Sequence, residues 1–318
     1  MPEEIAIHSA APIQEAESPL DQFLAGQLSE RTRKAYLADL KHFFGCDHFN
    51  QITPDLLKGV TFRDVIAFRN NLADNGYKRS TINRKLASLK AFFRMLVAAG
   101  LLEQNPADSA LVRGYKQEHN PAGKSIPTAA LKKLTDSIEA DDNPERSARD
   151  LALVYLLTYG GLRRSEAAAM HWENIRQEGP FYVLRLPDTK SGVPQEIKLQ
   201  PVAVHFLEVY RQLLNQRGRE TDNGAVFLSQ SRNRSRDTGL TDHAINRIVK
   251  KRAREAGISQ NITAHMFRHT CCTLAIEGGA RPQQVQAHLR HKDLKTTMLY
   301  YENREKLVDN ASDYIAIR

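Results

Sequence analysis

Cysteine and long apolar runs are both scarce in this 318-residue chain. Its three cysteines, Cys46, Cys271 and Cys272, are odd in number and include an adjacent pair, which argues against a disulfide framework. The apolar runs 95–102 and 151–162 fall short of the roughly 18 residues that a membrane span requires. The acidic N-terminus lacks the basic-then-apolar order of a signal peptide. These absences exclude the secreted disulfide-rich and membrane-spanning classes, and we expect a soluble cytoplasmic protein.

Basic residues are missing from the first 30 positions, which hold six acids, and are abundant afterwards. The whole chain has 45 Lys and Arg against 37 Asp and Glu, a net charge of +8. Beyond position 30 the balance is 45 basic against 31 acidic residues, or +14. A basic body of this size is typical of a nucleic-acid-binding protein, although charge alone leaves an ordinary basic enzyme as an equal alternative.

Composition and periodicity divide the chain into an acidic tail, a helical domain, a basic linker, a second mostly helical domain and a C-terminal tail. In that order, these segments cover residues 1–17, 18–106, 107–127, 128–301 and 302–318. The second domain also contains two β-like stretches, 181–186 and 195–199, joined by a turn. We therefore predict a mainly α, α+β fold with a small antiparallel sheet.

The helix predicted over 80–99 has one apolar stripe and, roughly opposite, basic and hydroxyl side chains. Such a surface fits a DNA-contacting module, with an ordinary solvated face as the alternative for any single residue. The candidate DNA contacts on or beside it are Thr81, Arg84, Lys85 and Ser88. A second basic helix, predicted over 241–256, adds the candidates Arg247, Lys250 and Lys251.

Two motifs of the second domain place a basic side chain at a turn. In GGLRRSE, an arginine at a break between helices can present its planar guanidinium to a phosphate, and Glu166 can hold it there. In DTKSG, Lys190 lies at the tip of the predicted hairpin, where its ammonium could protonate a leaving alkoxide. Either motif alone is more typical of a solvated surface charge.

Two further motifs add histidine, arginine and tyrosine. In HMFRH, the three-residue step puts His265 and Arg268 on one side of a helical turn. In HKDLKTTMLYY, a tyrosine can act as the nucleophile where several cations surround a phosphate, although the pKa of tyrosine is ordinarily near 10. A zinc site of His265, His269 and His291 is disfavoured, because the glutamate of H-E-x-x-H is absent and nearby arginines would repel a cation.

Taken together and in this order, the four motifs resemble the tyrosine recombinase (phage integrase) family, in its simple two-domain Xer-like or Cre-like form. The likeness covers nearly the whole chain. The catalytic positions of the family pattern fall on Arg163, Lys190, His265, Arg268, His291 and Tyr300, with Glu166 in support. The nine-residue step from His291 and the preceding Thr-Thr pair select Tyr300 over Tyr301.

The sequence departs from the family pattern at two positions beside these residues. Phe267 stands where leucine is usual, which changes a core residue only. Arg290 replaces the usual glycine before the last histidine, so the local backbone there could differ. Neither departure removes a catalytic group, and we expect an active enzyme.

The resemblance implies that Tyr300 attacks a scissile phosphodiester, forming a 3′-phosphotyrosyl bond and releasing a 5′-hydroxyl. The two arginines would clamp the non-bridging oxygens, and the hairpin lysine would protonate the leaving oxygen. His265 would accept or orient the tyrosine proton, and His291 would donate to a phosphate oxygen. Bond energy is retained in the phosphotyrosine, so we expect no cofactor and no metal.

The resemblance also implies the partners: double-stranded DNA with a specific inverted-repeat site, and a homotetramer on that DNA. An accessory or partner recombinase is left open, and no membrane partner is expected. The N-terminal domain would be a SAM-like core-binding helical bundle. The two domains together would clamp the DNA duplex. The enzyme would be associated with the nucleoid. The 302–318 tail would pass to a neighbouring protomer, with packing on its own domain as the alternative.

Two other functions remain at this point. A type IB topoisomerase or telomere resolvase uses a similar tyrosine site, but the separate N-terminal bundle and the tail favour a recombinase. A DNA-binding regulator without strand cleavage is disfavoured, because all six catalytic positions are filled. The sequence leaves open chromosome-dimer resolution, transposon resolution and mobile-element integration.

Overall fold

A computed structural model describes residues 19–27, 29–48, 51–116, 125–186, 194–219, 221–230 and 238–308. The chain divides into two compact units, residues 1–118 and 119–318. Within the described ranges, no helix is long and apolar enough to cross a membrane.

The described part of the first unit is a helical bundle. Its helices are α1 (Pro19–Ala25), α2 (Glu30–Phe44), α3 (Pro54–Gly59), α4 (Phe62–Asp74) and α5 (Arg79–Ala98). The long α5 packs against α1, α2 and α4, and Ile82, Leu89 and Phe93 on its apolar stripe are fully buried. Local chemistry fixes where helices begin: the Thr53 hydroxyl accepts the Leu56 N–H at 3.3 Å and so caps α3.

The face of α5 that was expected to contact DNA is partly covered by α2. Asp39 of α2 is 1% exposed and accepts hydrogen bonds from Lys85 Nζ at 3.0 Å and Ser88 Oγ at 2.7 Å. Lys85 and Ser88 are themselves buried, so the prediction that they contact DNA is corrected: their polar groups serve an internal carboxylate. Arg84 also pairs with Asp39 but its side chain stays half exposed, and Thr81 is half-buried.

The charge on Asp39 is stabilised by these neighbours. Burial raises its pKa, whereas hydrogen bonds from Arg84, Ser88 and Lys85 lower it, and the net shift is downward. The carboxylate therefore remains ionised in the interior.

Residues 107–116, which composition assigns to the start of the linker, pack onto the first unit. Ala107 and Val112 are buried in its core. The side-chain amide of Asn83 on α5 exchanges two hydrogen bonds, each of 2.8 Å, with the backbone of Tyr115. Because Ala107 and Val112 are buried in the core and the backbone of Tyr115 is hydrogen-bonded to Asn83, the first unit continues through residue 116.

The second unit combines helices with a small sheet. Its helices are α6 (Thr128–Glu139), α7 (Pro144–Gly160), α8 (Arg164–Ala168), α9 (Pro201–Gln216), α10 (Asp242–Glu255), α11 (Ala264–Glu277), α12 (Pro282–Leu289) and α13 (Leu294–Val308). The strands are β1 (Ile175–Glu178), β2 (Phe181–Leu186) and β3 (Gln195–Leu199), antiparallel in the order β1-β2-β3. Leu184 lies opposite Ile175 on one side and Ile197 on the other. The two predicted strands are confirmed, and β1 adds a third.

Helix α7 lies at the centre of the second unit and is buried along most of its length. It packs against α6, α9 and α11. This packing brings the C-terminal end of α7 beside α11, and both elements carry residues of the motifs. The candidate DNA contacts on α10 lie opposite its buried Ile245 and Val249: Arg247 and Lys251 are exposed and Lys250 is half-buried.

Candidate active site

The turn between α7 and α8 positions Arg163. Gly161 ends α7 with φ +55°, and a Cβ there would overlap Leu289 and lie 3.2 Å from Cys271 Sγ, so this position needs glycine for both reasons. Arg163 then caps α8. Its backbone N–H donates to Glu166 Oε2 at 2.7 Å, and its Nη1 donates to Glu166 Oε1 at 2.6 Å. Glu166 therefore fixes both the main chain and the guanidinium of Arg163.

Helix α11 brings Arg268 to the same turn. Its side chain is buried, with Nη1 donating to the Gly161 carbonyl at 2.8 Å and Nη2 donating to the Leu289 carbonyl. Burial, followed by the like charges of Arg163 and Arg290, lowers the pKa of Arg268 to about 10. The guanidinium thus remains charged at neutral pH in a site crowded with positive charge.

The structure shows how Arg290 is accommodated where the family pattern has glycine. It ends α12 in the left-handed conformation, with φ +58° and ψ +44°, where glycine is the residue with least strain. Its side chain is 3% exposed, and Nη2 donates to Glu166 Oε2 at 2.8 Å. Its carbonyl accepts a 3.4 Å hydrogen bond from Arg163 Nη2. A third guanidinium therefore shares Glu166 with Arg163.

The charge balance of this cluster is positive, with three arginines against one carboxylate. Burial raises the pKa of Glu166, while Arg290 and Arg163 lower it, and the net shift is downward. Glu166 therefore remains ionised. An anionic phosphate oxygen has a favourable electrostatic place beside such a cluster.

His291 follows Arg290 directly and is oriented by α13. Its Nδ1 lies 2.9 Å from the hydroxyl of Thr297, which is fully buried. Burial, then the positive charges of Arg268, Arg163 and Arg290, lowers the pKa of His291 to about 4. The imidazole is therefore neutral at physiological pH and can donate a hydrogen bond from only one ring nitrogen.

Tyr300 lies on α13 and is 7% exposed. Its hydroxyl forms a hydrogen bond with Nδ1 of His269 on α11, and the two rings lie 5.7 Å apart between centroids. The ring of His265, one turn earlier on α11, lies 4.7 Å from that of His269 in an edge-to-face arrangement. Tyr301, the alternative tyrosine, is half-buried and packs against the same small cluster of buried side chains.

The structure thus brings together Arg163, Glu166, Arg268 and His291 around the main chain of residues 289–291. Tyr300 joins them through His269, the neighbour of Arg268. From the sequence, His269 was considered only as a metal ligand. Its position next to Arg268 and four residues after His265 was the one signal that it belongs to the site. Lys190 lies outside the described residues. Among the described residues, no group of three His, Cys, Asp or Glu side chains could hold a metal ion.

Comparison with known proteins gives two family matches. Residues 125–306 match the model described as the phage integrase family, and residues 20–100 match the phage integrase N-terminal SAM-like domain. The chain is 28% identical over 295 residues to tyrosine recombinase XerD of Oceanobacillus iheyensis, covering 90% of this chain and 93% of that protein. It is 30% identical over 278 residues to tyrosine recombinase XerC of Pelobacter propionicus, covering 86% and 85%.

Solved structures give the same fold. A XerH recombinase bound to palindromic difH DNA has a TM-score of 0.70 at 19% identity, covering 89% of this chain and 79% of that one. A lambda integrase dimer bound to a core site has a TM-score of 0.67 at 20% identity, covering 95% and 80%. At these identities the likeness establishes the mainly helical architecture with its small sheet.

Proposed function

The chain belongs to the phage integrase family of tyrosine recombinases, and from that premise we propose that it cuts and rejoins duplex DNA at specific sites. Tyr300 attacks the scissile phosphodiester, a 3′-phosphotyrosyl bond forms, and a 5′-hydroxyl leaves. The 5′-hydroxyl of a partner strand then reverses the step. Because the phosphotyrosine retains the bond energy, rejoining needs no nucleotide cofactor.

One observation carries this proposal: Arg163, in the turn before α8, and Arg268, on α11, donate to the consecutive carbonyls of Arg290 and Leu289, directly before His291. Guanidinium groups aimed at one small region can bind two non-bridging oxygens of a phosphate and stabilise the pentacoordinate charge. The positive charge of the cluster supports the same role. Burial and then the like charges of Arg163 and Arg290 lower the pKa of Arg268, and a phosphodiester would offset those charges.

Histidine and lysine complete the proposed chemistry. In the tautomer of His291 that accepts from the Thr297 hydroxyl at Nδ1, the ring proton lies on Nε2 and is donated to a phosphate oxygen. His265, exposed on α11, accepts or orients the proton of the Tyr300 hydroxyl. Lys190, outside the described residues, protonates the leaving 5′-oxygen, a role that rests on the family pattern alone.

The proposed partner is double-stranded DNA with an inverted-repeat site. The DNA-bound state of the XerH and lambda integrase structures supports DNA as the partner. Exposed Arg247 and Lys251 on α10, and Arg84 on α5, are candidate phosphate contacts. Each phosphate neutralised contributes about −0.9 to the slope of log K against log salt. A homotetramer on paired sites, with the 302–318 tail exchanged between protomers, follows from the family resemblance.

A covalent-adduct trap tests this function. Purified protein and Tyr300→Phe are incubated with fragmented DNA of the source organism and quenched with SDS, and the protein-linked ends are sequenced. We expect adducts from the unmodified chain alone, with discrete ends that border an inverted repeat. Dispersed ends would indicate a topoisomerase instead. DNA binding without adducts from either protein would indicate a non-catalytic regulator.

A further inference from the structure

The contact between Tyr300 and His269 carries an inference about proton transfer, and it rests on the proposed function. The family pattern gives the tyrosine proton to His265, whereas the hydroxyl of Tyr300 forms its hydrogen bond with Nδ1 of His269. The two side chains come from different helices, α13 and α11, and Tyr300 is buried. The nucleophilic oxygen therefore has an imidazole nitrogen in direct contact.

Chemistry makes this nitrogen a suitable proton acceptor. A phenol has a pKa near 10 and an imidazole near 6.5, so a neutral imidazole is a base that is available at physiological pH. General bases of this kind act when they lie within hydrogen-bond reach of the proton they remove. In the tautomer of His269 that carries its proton on Nε2, Nδ1 presents a lone pair to the tyrosine hydroxyl.

Several charged or titratable side chains surround His269. On its own helix, Arg268 precedes it in the chain, and the edge-to-face ring of His265 lies 4.7 Å away between centroids. From α13 it faces Tyr300, and the turn before α13 contributes His291, which interacts electrostatically with His265. Tyr300 is buried, His269 is half-buried and His265 is exposed. The order from the interior outwards is Tyr300, His269 and His265.

We propose that His269 takes the proton of Tyr300 during strand cleavage and returns it during rejoining. The phenol oxygen forms its bond to phosphorus, the bond between phosphorus and the 5′-oxygen breaks, and the phenol proton moves to Nδ1. The leaving 5′-oxygen takes a different proton from the general acid of the site. In the reverse step the 5′-hydroxyl attacks phosphorus and gives its proton back to the group that acted as general acid. The phosphotyrosyl bond breaks, and the imidazolium of His269 reprotonates the tyrosine.

The test is single-turnover cleavage of a nicked suicide substrate that carries the site found by adduct sequencing. Rates are measured from about pH 6 to about pH 10, which spans imidazole and phenol ionisation. His269→Asn keeps a hydrogen-bonding group near the Nδ1 position but removes the base. We expect it to cleave about 10²-fold to 10⁴-fold more slowly at neutral pH, with a rate that climbs as the phenol itself ionises.

Two further measurements distinguish a role of His269 as a base from a role in packing. Replacing Tyr300 with a fluorinated tyrosine, whose hydroxyl is more acidic, is expected to restore much of the rate lost in His269→Asn. Added imidazole is expected to do the same in His269→Ala. His243→Gln, an exposed histidine on α10, is the control and is expected to leave the rate and the pH profile unchanged.

Four results would overturn the proposal. Faster cleavage by His269→Asn would mean that the contact restrains the nucleophile. A loss that is equal at every pH, with neither rescue, would mean a packing role. An alkaline shift in His265→Gln but not in His269→Asn would make His265 the acceptor. The absence of any adduct with the unmodified chain would end the proposed function itself and this role with it.

Discussion

Arg290 and Glu166 form a buried ion pair, with Nη2 and Oε2 2.8 Å apart and both side chains at most 5% exposed. The pair joins the turn that carries His291 to the turn that carries Arg163. It also explains how a residue other than glycine is held at φ +58°, a backbone conformation that costs roughly 1–2 kcal/mol without a compensating contact.

The first prediction concerns this pair. Glu166→Gln leaves the buried guanidinium of Arg290 and the partly exposed one of Arg163 without their carboxylate, and is expected to lower the free energy of unfolding by about 3–5 kcal/mol. In an Arg290→Gly background the same change is expected to cost less, because one cation has gone and the backbone is relaxed. Urea denaturation of the four proteins measures this coupling, and additive costs would mean that the pair contributes nothing of its own.

A second prediction concerns Gly161. Alanine at this position meets both a positive φ and overlap with Leu289, whereas Gly257→Ala meets a similar φ of +64° with no atom within 4 Å. Gly161→Ala is therefore expected to cost about 1–3 kcal/mol more than Gly257→Ala. Thermal unfolding of the two variants checks the difference. Equal costs would show that the overlap with Leu289 does not contribute to the loss of stability.

A third prediction concerns the interior of the N-terminal unit. Asp39→Asn removes the charge that compensates buried Lys85 and is expected to lower the unfolding free energy by about 3–5 kcal/mol. Glu30→Gln on the same helix breaks an exposed pair with Lys34 and is expected to leave stability almost unchanged. Chemical denaturation of both variants provides the comparison. A harmless Asp39→Asn would contradict the assignment of this carboxylate to the core.

The fourth prediction concerns pH. Unfolded His291 binds a proton near pH 6.5, whereas the folded protein binds it only near pH 4. Between these values the unfolded state holds more protons, so His291 makes stability rise with pH and adds no further slope above 6.5. His291→Gln is expected to flatten the melting temperature across that window. An unchanged slope would mean that burial and the three arginines do not lower the pKa of this imidazole.

The sequence predicted much of the site because its motifs are local. Arg163 and Glu166 lie within one turn, as do His265 and Arg268, and the spacing from His291 to Tyr300 is that of the family pattern. The sheet strands 181–186 and 195–199 were also predicted with their observed bounds.

The rest depends on partners distant in the chain. Helical spacing identified one face of α5 but not Asp39, which comes from α2 and draws Lys85 and Ser88 inside. Likewise, the contact of His269 with Tyr300 exists only because α11 packs against α13. Arg290 was noted as a departure, and its compensating partner Glu166 appears only in three dimensions.

The proposed function requires Tyr300 to be the nucleophile, and this is tested by identifying the residue that becomes covalently bound to DNA. The trapped adduct is digested with nuclease and protease, and the peptide that retains a nucleotide is sequenced by mass spectrometry. We expect a 3′-phosphate ester on the hydroxyl of Tyr300, a free 5′-hydroxyl on the released strand, and no adduct from Tyr300→Phe. An ester on Tyr301 or on any other residue would contradict it.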